Sequence, residues 1–353
     1  MTSLNVDIRA CQYQALLGVG GIGTGAFFAL NGEQTLGREE SRSGHFIDRR
    51  DYCKLHIISH YIKTLLGREF ATMPIGKVGD DEAGRNLLKE MGAAGLDLRH
   101  VQAVPGASTL YSFCFIYPDG SGGNLTTDNS ACDQLDAEDV SRAESDFSRF
   151  QGRGIALAAP EVPLAARRKL LQLGTRYQFM RVAAFVSAEI VPAIEMGLLA
   201  ELDLLTLNRS EAAALAGTQS DEGPPLPIVE AALARLGAIQ PALQVTITAG
   251  RDGSWSWDGK SLTHLPAFPA RMVSTAGAGD AFLAGVIAGR VAGLALPQAQ
   301  ELGTLVAALS VTSPHTINME IDRGTLAAFS SESRLALSDS VQQLLQDGHM
   351  EEC

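Results

Sequence analysis

The stretch Ser274-Thr275-Ala276-Gly277-Ala278-Gly279-Asp280, followed by Ala281-Phe282-Leu283-Ala284-Gly285-Val286, holds the densest chemistry in this chain. Small residues at 276 to 279 let consecutive backbone N–H groups turn toward one point, and the apolar Ala/Gly-rich run behind them can pack a helix tightly against a sheet. This predicts an anion hole at a helix N-terminus, built from the amides of Ala276, Gly277, Ala278 and Gly279. Such a hole stabilises charge on a phosphoryl group in transfer without using mobile side chains. Asp280 then falls in the first helical turn. A carboxylate there either caps the helix or accepts the proton of an attacking hydroxyl, and spacing leaves both open.

A second glycine cluster points elsewhere. Gly18-Val19-Gly20-Gly21-Ile22-Gly23 satisfies GxGxxG after an apparent strand, the pattern of dinucleotide sites in NAD-dependent oxidoreductases. That pattern requires a helix to open at once so that a pyrophosphate can sit on its N-terminus. Here the chain runs through Thr24-Gly25 and reaches Asn31-Gly32 after one short apolar turn. The oxidoreductase reading is the weaker alternative.

Four motifs in one order resemble the ribokinase-like, or PfkB, carbohydrate kinases over about residues 15–329. STAGAGDAFLAGV is similar to the C-terminal signature of that family, and Asn208-Arg209-Ser210-Glu211 to its NxxE motif. Thr248-Ala249-Gly250-Arg251-Asp252-Gly253 resembles its TxGxxG nucleotide loop, and Gly76 to Gly84 a stretch after the second core strand. The resemblance implies a kinase that transfers the gamma-phosphoryl group of ATP, with Mg2+, to a hydroxyl of a sugar or related small molecule. Asp280 would be the base. Asn208 and Glu211 would position the metal and phosphates largely through water, which suits a cation that keeps its hydration shell. Thr248, Gly250 and Gly253 would line the triphosphate and ribose, and Thr304 would fall near the purine. Local alternatives stay open: Asn208 and Glu211 can form a capping box, and the two glycines can simply turn the chain.

The chain departs from the family at three places. Where an Asp commonly grips sugar hydroxyls after the first strand, this sequence reads Gly23-Thr24-Gly25. Where a Gly-Gly pair and an Asn usually open a helix, it has Cys53-Lys54 and Ile58. Ser274 stands where an Asp frequently helps hold a monovalent cation, so a K+ site lacks one ligand. Gly23, Gly25 and Lys54 therefore mark an acceptor site of unusual composition, and a non-catalytic nucleotide- or metabolite-binding protein of the same fold is the alternative. Arg38, Arg42, Arg49, Arg50 and Lys54 can bring cations to that site, although Glu39, Glu40, Asp48 and Asp51 lie among them and equally allow a solvated charged run.

These residues need elements to hold them. Apolar runs at Gln14 to Gly18, Phe70 to Val78, Ile155 to Ala158, Phe179 to Phe185, Leu202 to Leu207 and Gln244 to Ala249 read as buried strands alternating with helices. That rhythm predicts a doubly wound, mostly parallel α/β sheet in one kinase domain over 1–353. A helix is expected over His56 to Leu66, another from Asp80 through Met91, and a loop at Glu222 to Pro227. Ser108 to Tyr117 and Asn124 to Asp128 flank a PDGSGG turn and predict a hairpin. With residues near 24–50 it would form a small β lid, drawn over 24–50 and 106–128. Gly37 to Lys54 should lie exposed. An apolar lid face leaves room for a homodimer.

With 353 residues, 46% hydrophobic and 19% charged, the composition is that of a packed protein with a large core. A net charge of -12 disfavours nucleic acid and anionic membrane surfaces as partners, so an anionic ligand needs a local device. The five cysteines, at 11, 53, 114, 132 and 353, show no CxxC spacing, which fits a reducing, cytoplasmic setting. No secretory or membrane-spanning segment is evident.

Overall fold

A computed structural model describes residues 2–32, 35–118, 122–218 and 222–346. The strands are β1 (Ala15–Val19), β2 (Gly23–Leu30), β3 (Gly44–Tyr52), β4 (Ala71–Gly79), β5 (His100–Val104), β6 (Leu110–Ile116), β7 (Gly122–Thr126), β8 (Gly154–Ala158), β9 (Met180–Ala184), β10 (Leu204–Asn208), β11 (Gln244–Thr248), β12 (Ser254–Trp257) and β13 (Leu262–Leu265). The α-helices are α1 (Lys54–Leu66), α2 (Glu82–Ala93), α3 (Ala137–Ser141), α4 (Glu144–Arg149), α5 (Leu164–Arg176), α6 (Ile190–Glu195), α7 (Arg209–Ala216), α8 (Pro225–Ile239), α9 (Ala278–Val291), α10 (Leu296–Ser310), α11 (Arg323–Glu332) and α12 (Asp339–Leu345).

The large sheet has nine strands in the order β13-β12-β11-β10-β9-β8-β1-β4-β5. Its strands from β11 to β5 run parallel, and β12 and β13 close one edge as an antiparallel hairpin. Because side chains alternate across a strand, β1 feeds both layers: Leu16 joins the core under α1, α9 and α10, while Leu17 and Val19 join the core under α5, α7 and α8. Helices on both faces are the doubly wound arrangement the strand–helix alternation predicts. The edge strands β5 and β13, and β12 beside the latter, lack a continuous apolar run, and pattern reading did not find them.

The α9–α10 contact explains the small residues behind Asp280. A Cβ on Gly285 would lie 2.7 Å from Gly303 Cα, so the two helices meet backbone to backbone. The close packing expected against the sheet is thus made against a neighbouring helix, α10.

The second sheet is the lid, with strand order β3-β2-β6-β7. It is built from Gly23–Leu30, Gly44–Tyr52, Leu110–Ile116 and Gly122–Thr126, and one expectation fails. Gly37 to Lys54 is not an exposed run throughout: it contains β3, whose last two residues, Asp51 and Tyr52, are buried. Also, β2 and β6 pair in parallel, so β2 is a central lid strand. The tip of the predicted PDGSGG turn, 119–121, lies outside the described residues, as does Cys353. The predicted loop at Glu222 to Pro227 is likewise only partly a loop, since α8 begins at Pro225, where a missing N–H costs a helix nothing.

The GxGxxG cluster has no helix after it. Gly18 to Gly23 runs straight from β1 into β2. Its glycines serve close approach: a Cβ on Gly20 would sit 2.7 Å from Ala159 Cβ, and one on Gly21 would sit 2.6 Å from Glu161 Cβ. Among the described residues no helix is long and apolar enough to cross a membrane.

Candidate active site

The parallel strands end together, and the residues that could do chemistry gather at their carboxyl ends, the edge where open α/β sheets bind ligands. The loop before α9 contributes the first group. Gly277 is the N-cap of α9 with φ +80, and a Cβ there would run into the Thr316 carbonyl, so only glycine lets the chain turn at this point. Ala276 N donates to Ser274 Oγ at 3.4 Å and Ala278 N to the Thr275 carbonyl at 3.2 Å. Two of the four amides expected in the anion hole are therefore used locally. The amides of Gly277, Gly279 and Asp280 have no protein acceptor among the described residues. The set of unpaired donors is thus shifted one residue toward Asp280.

Asp280 is at N3 of α9 and caps nothing: its carboxylate accepts no hydrogen bond from the helix or from any other described residue. Burial raises its pKa, the Lys54 ammonium opposes that rise, and Asp51 adds to it. Lys54 is the first residue of α1, and Asp280 is the leading cause of its own raised pKa, ahead of Glu161 and Glu211, with burial working the other way. One ammonium thus serves several carboxylates brought from β3, β8, α7 and α9. Glu161 is pushed up to about 7 chiefly by burial, and its Oε2 accepts from Lys54 N at 3.0 Å, satisfying one orphan amide of α1.

Asn208 ends β10 and caps α7. Its Oδ1 accepts from Glu211 N at 2.9 Å, while Glu211 accepts from Asn208 N at 2.7 Å and from Asn208 Nδ2 at 2.8 Å. This is the capping box left open by the sequence. Burial pushes the Glu211 carboxyl up to about 7. Among the described residues no three His, Cys, Asp or Glu side chains converge as a metal cage. Glu211 and Asn208 fit a divalent cation reached through its own waters, since both Glu211 oxygens already accept protein donors.

Thr248 ends β11 beside Asn208, its partner in the parallel ladder. Gly250 (φ +57) and Gly253 (φ +87) turn the chain into β12, and Ala249 N bonds the Gly253 carbonyl at 2.8 Å. Thr304 is the one expected ligand residue that is turned inward. It is 7% exposed in α10, and its hydroxyl donates to the Gln300 carbonyl at 2.9 Å and meets Ser254 Oγ at 3.3 Å. Its hydroxyl joins α10 to β12.

The lid reaches the anion loop through the segment after α10. Tyr52 N donates to Thr316 Oγ1 at 2.9 Å, Thr316 N donates to the Arg50 carbonyl at 3.1 Å, and Arg50 N donates to His315 Nδ1 at 2.9 Å. The same Thr316 abuts Gly277. Of the basic run, only Lys54 is coupled to the acidic site. Arg42 pairs with Glu40, Arg50 lies 3.6 Å from Glu90, and Arg49 and Arg50 line a cavity of about 490 Å³ between lid and α2.

Gly23 and Gly25 on β2 have no side chains to offer, and motif reading missed two acidic residues nearby, Glu161 against Gly21 and Asp51 against Gly25. Glu161 follows β8 in Ala-Ala-Pro-Glu, and its position just past the end of a parallel strand was a usable signal. Asp51 had none. It is brought opposite Gly25 only by the β2–β3 register, next to a bulge between Gly25 and Phe27.

Residues 60–323 match the pfkB family carbohydrate kinases. The chain belongs to that family. Among curated relatives, it is 42% identical over 67 residues to fructoselysine 6-kinase of Shigella flexneri, an alignment covering 19% of this chain and 26% of that protein. It is 25% identical over 240 residues to deoxyribokinase of Salmonella typhi, covering 68% and 75%. In fold it is similar to the ribokinase of Cryptococcus neoformans var. grubii serotype A solved with ADP, with a TM-score of 0.72, 18% identity, and coverage of 91% and 100%. At that identity the likeness concerns the fold, and it agrees with the two-layered α/β sheet and smaller lid sheet described above.

Proposed function

We propose that this member of the carbohydrate kinase family is an active ATP-dependent kinase that transfers the gamma-phosphoryl group to a hydroxyl of a sugar-like small molecule. The observation that carries the reading is a carboxylate without a hydrogen-bond partner, Asp280, beside unpaired amides at Gly277 and Gly279. A carboxylate so placed can accept the proton of an acceptor hydroxyl as it attacks phosphorus, while the amides stabilise the charge gathering on the equatorial oxygens. The Lys54 ammonium opposes the rise that burial imposes on the Asp280 carboxyl and so favours its ionised form. The ADP and ATP named for solved ribokinases support ATP as donor.

Magnesium, when bound, neutralises phosphate charge. Glu211 and Asn208 would hold it through water, and Thr248 with the Gly250–Gly253 turn would border the nucleotide. Closure of the lid would exclude water, which otherwise competes with the acceptor as nucleophile.

Asp280→Asn tests the reading, because it removes the base with little change of shape. ADP release in the presence of an acceptor should fall by about 10²- to 10⁴-fold, with ATP affinity within a few fold. Equal turnover in both forms overturns the base assignment.

A further inference from the structure

Asp51 and Gly25 face each other across β3 and β2. A Cβ on Gly25 would lie 2.6 Å from Asp51 Oδ2 and would also collide with the Ser112 side chain. The Asp51 carboxylate therefore occupies the space that a side chain on residue 25 would fill, reaching across the central strand to bond Ser112 Oγ on β6. Cys114 Sγ approaches the same oxygen, Oδ2, at 3.6 Å. Only that oxygen is taken by side-chain donors. A carboxylate 5% exposed is costly to keep; burial pushes its pKa up, and the hydrogen bonds from Ser112 and Cys114, with a smaller pull from the Lys54 charge, oppose that rise. Lys54 in turn has no hydrogen bond from its ammonium to a described residue, and its charge acts on Asp280, Glu161, Glu211 and, more weakly, Asp51.

We propose that Asp51 is an acceptor-binding residue, accepting a hydrogen bond from a second hydroxyl of the acceptor, one that is not phosphorylated, while Lys54 donates to a neighbouring oxygen. The site thereby selects polyhydroxylated acceptors over simple alcohols, since a monoalcohol leaves the second oxygen of a buried carboxylate without a side-chain donor. This deepens the kinase reading and rests on it for the identity of the reacting hydroxyl.

Asp51→Asn keeps an oxygen for Ser112 and removes only the charge. Binding is measured by calorimetry without ATP, using myo-inositol, D-ribose, 2-deoxy-D-ribose, D-fructose and 1-propanol, with ADP release followed in parallel. At least one polyol should bind the unaltered protein and 1-propanol should not. Asp51→Asn should weaken that polyol by about tenfold or more while ATP affinity stays within about twofold. Ser112→Ala, which removes the cross-strand donor and leaves the charge, should weaken it far less. Polyol affinity unchanged in Asp51→Asn, an equal loss of ATP affinity, or no polyol bound by the unaltered protein each overturns the proposal. Polyol-stimulated ADP release with an unchanged acceptor KM in Asp51→Asn sinks this assignment alone. Asp51-dependent polyol binding without phosphoryl transfer sinks the kinase reading alone.

Discussion

Lys54 and Asp280 are each other's strongest charged neighbours, although they begin different helices, α1 and α9, and lie 226 positions apart in sequence. The ammonium lowers the pKa of the carboxyl, which burial has raised, and the carboxyl raises that of the ammonium. The pair sets how readily Asp280 can act as a base near neutral pH.

Lys54→Met removes that support. Asp280 then feels burial and Asp51 without relief, its pKa moves up, and less of it is ionised at any given pH. The acidic limb of kcat/KM against pH should move to higher pH, and kcat at pH 7 should fall by about 10- to 100-fold. A limb that stays in place shows that Lys54 does not tune the base.

Gly277 and Gly279 should respond oppositely to alanine. At Gly277, φ is +80 and a Cβ meets the Thr316 carbonyl, so Gly277→Ala should destabilise by about 1–3 kcal/mol and displace the amides of the hole. At Gly279 a Cβ meets nothing within 4 Å, and the residue already lies in the helix, so Gly279→Ala should leave stability unchanged or raise it by up to about 1 kcal/mol. Urea denaturation midpoints read both. Equal midpoints for the two variants contradict this account of the turn.

His56 and His60 are buried one turn apart on α1. Burial pushes His56 down to about 3, with the charge of His60 adding to the effect, and pushes His60 down to about 4. Folding therefore favours the neutral rings. Their contribution is fully present above the unfolded value of about 6.5 and is lost as pH falls from there toward 4, at about 1.4 kcal/mol per pH unit for each ring. Glu161 and Glu211, raised to about 7, act in the opposite sense, contributing below their unfolded values and losing that contribution as pH rises through 7. Replacing both histidines with Leu should flatten the fall in urea midpoint between pH 6.5 and 5, and an unchanged slope argues against neutral buried rings.

Ser274 predicts that turnover does not depend on potassium. The residue is 9% exposed, its hydroxyl accepts from Ala276 N, and its own amide donates to the Val311 carbonyl at 3.2 Å. A neutral oxygen already turned to the chain adds little to a monovalent cation site. Turnover in 100 mM KCl and in 100 mM tetramethylammonium chloride should agree within about twofold, the range left by general screening. A tenfold activation by K+ assigns such a site to other oxygens.

Contiguous residues settled a good part of this protein. The helix opening at 278, the capping box of Asn208 and Glu211 and the turn at Gly250 and Gly253 are local structures, decided by glycine freedom and by side-chain-to-amide bonds within a few residues. The alternation of apolar strands with helices likewise determined the parallel sheet, because a buried strand must be apolar on both faces. What only the tertiary structure decided depends on register and on crossings between distant segments. The turning of Thr304 into the α10–β12 contact, the parallel pairing of β2 with β6, the field of Lys54 on Asp280 and the placing of Asp51 over Gly25 leave no periodicity in the chain. A pairing shift of one residue would send Asp51 to the other face of the lid, and nothing in the order of its neighbours records which face was chosen.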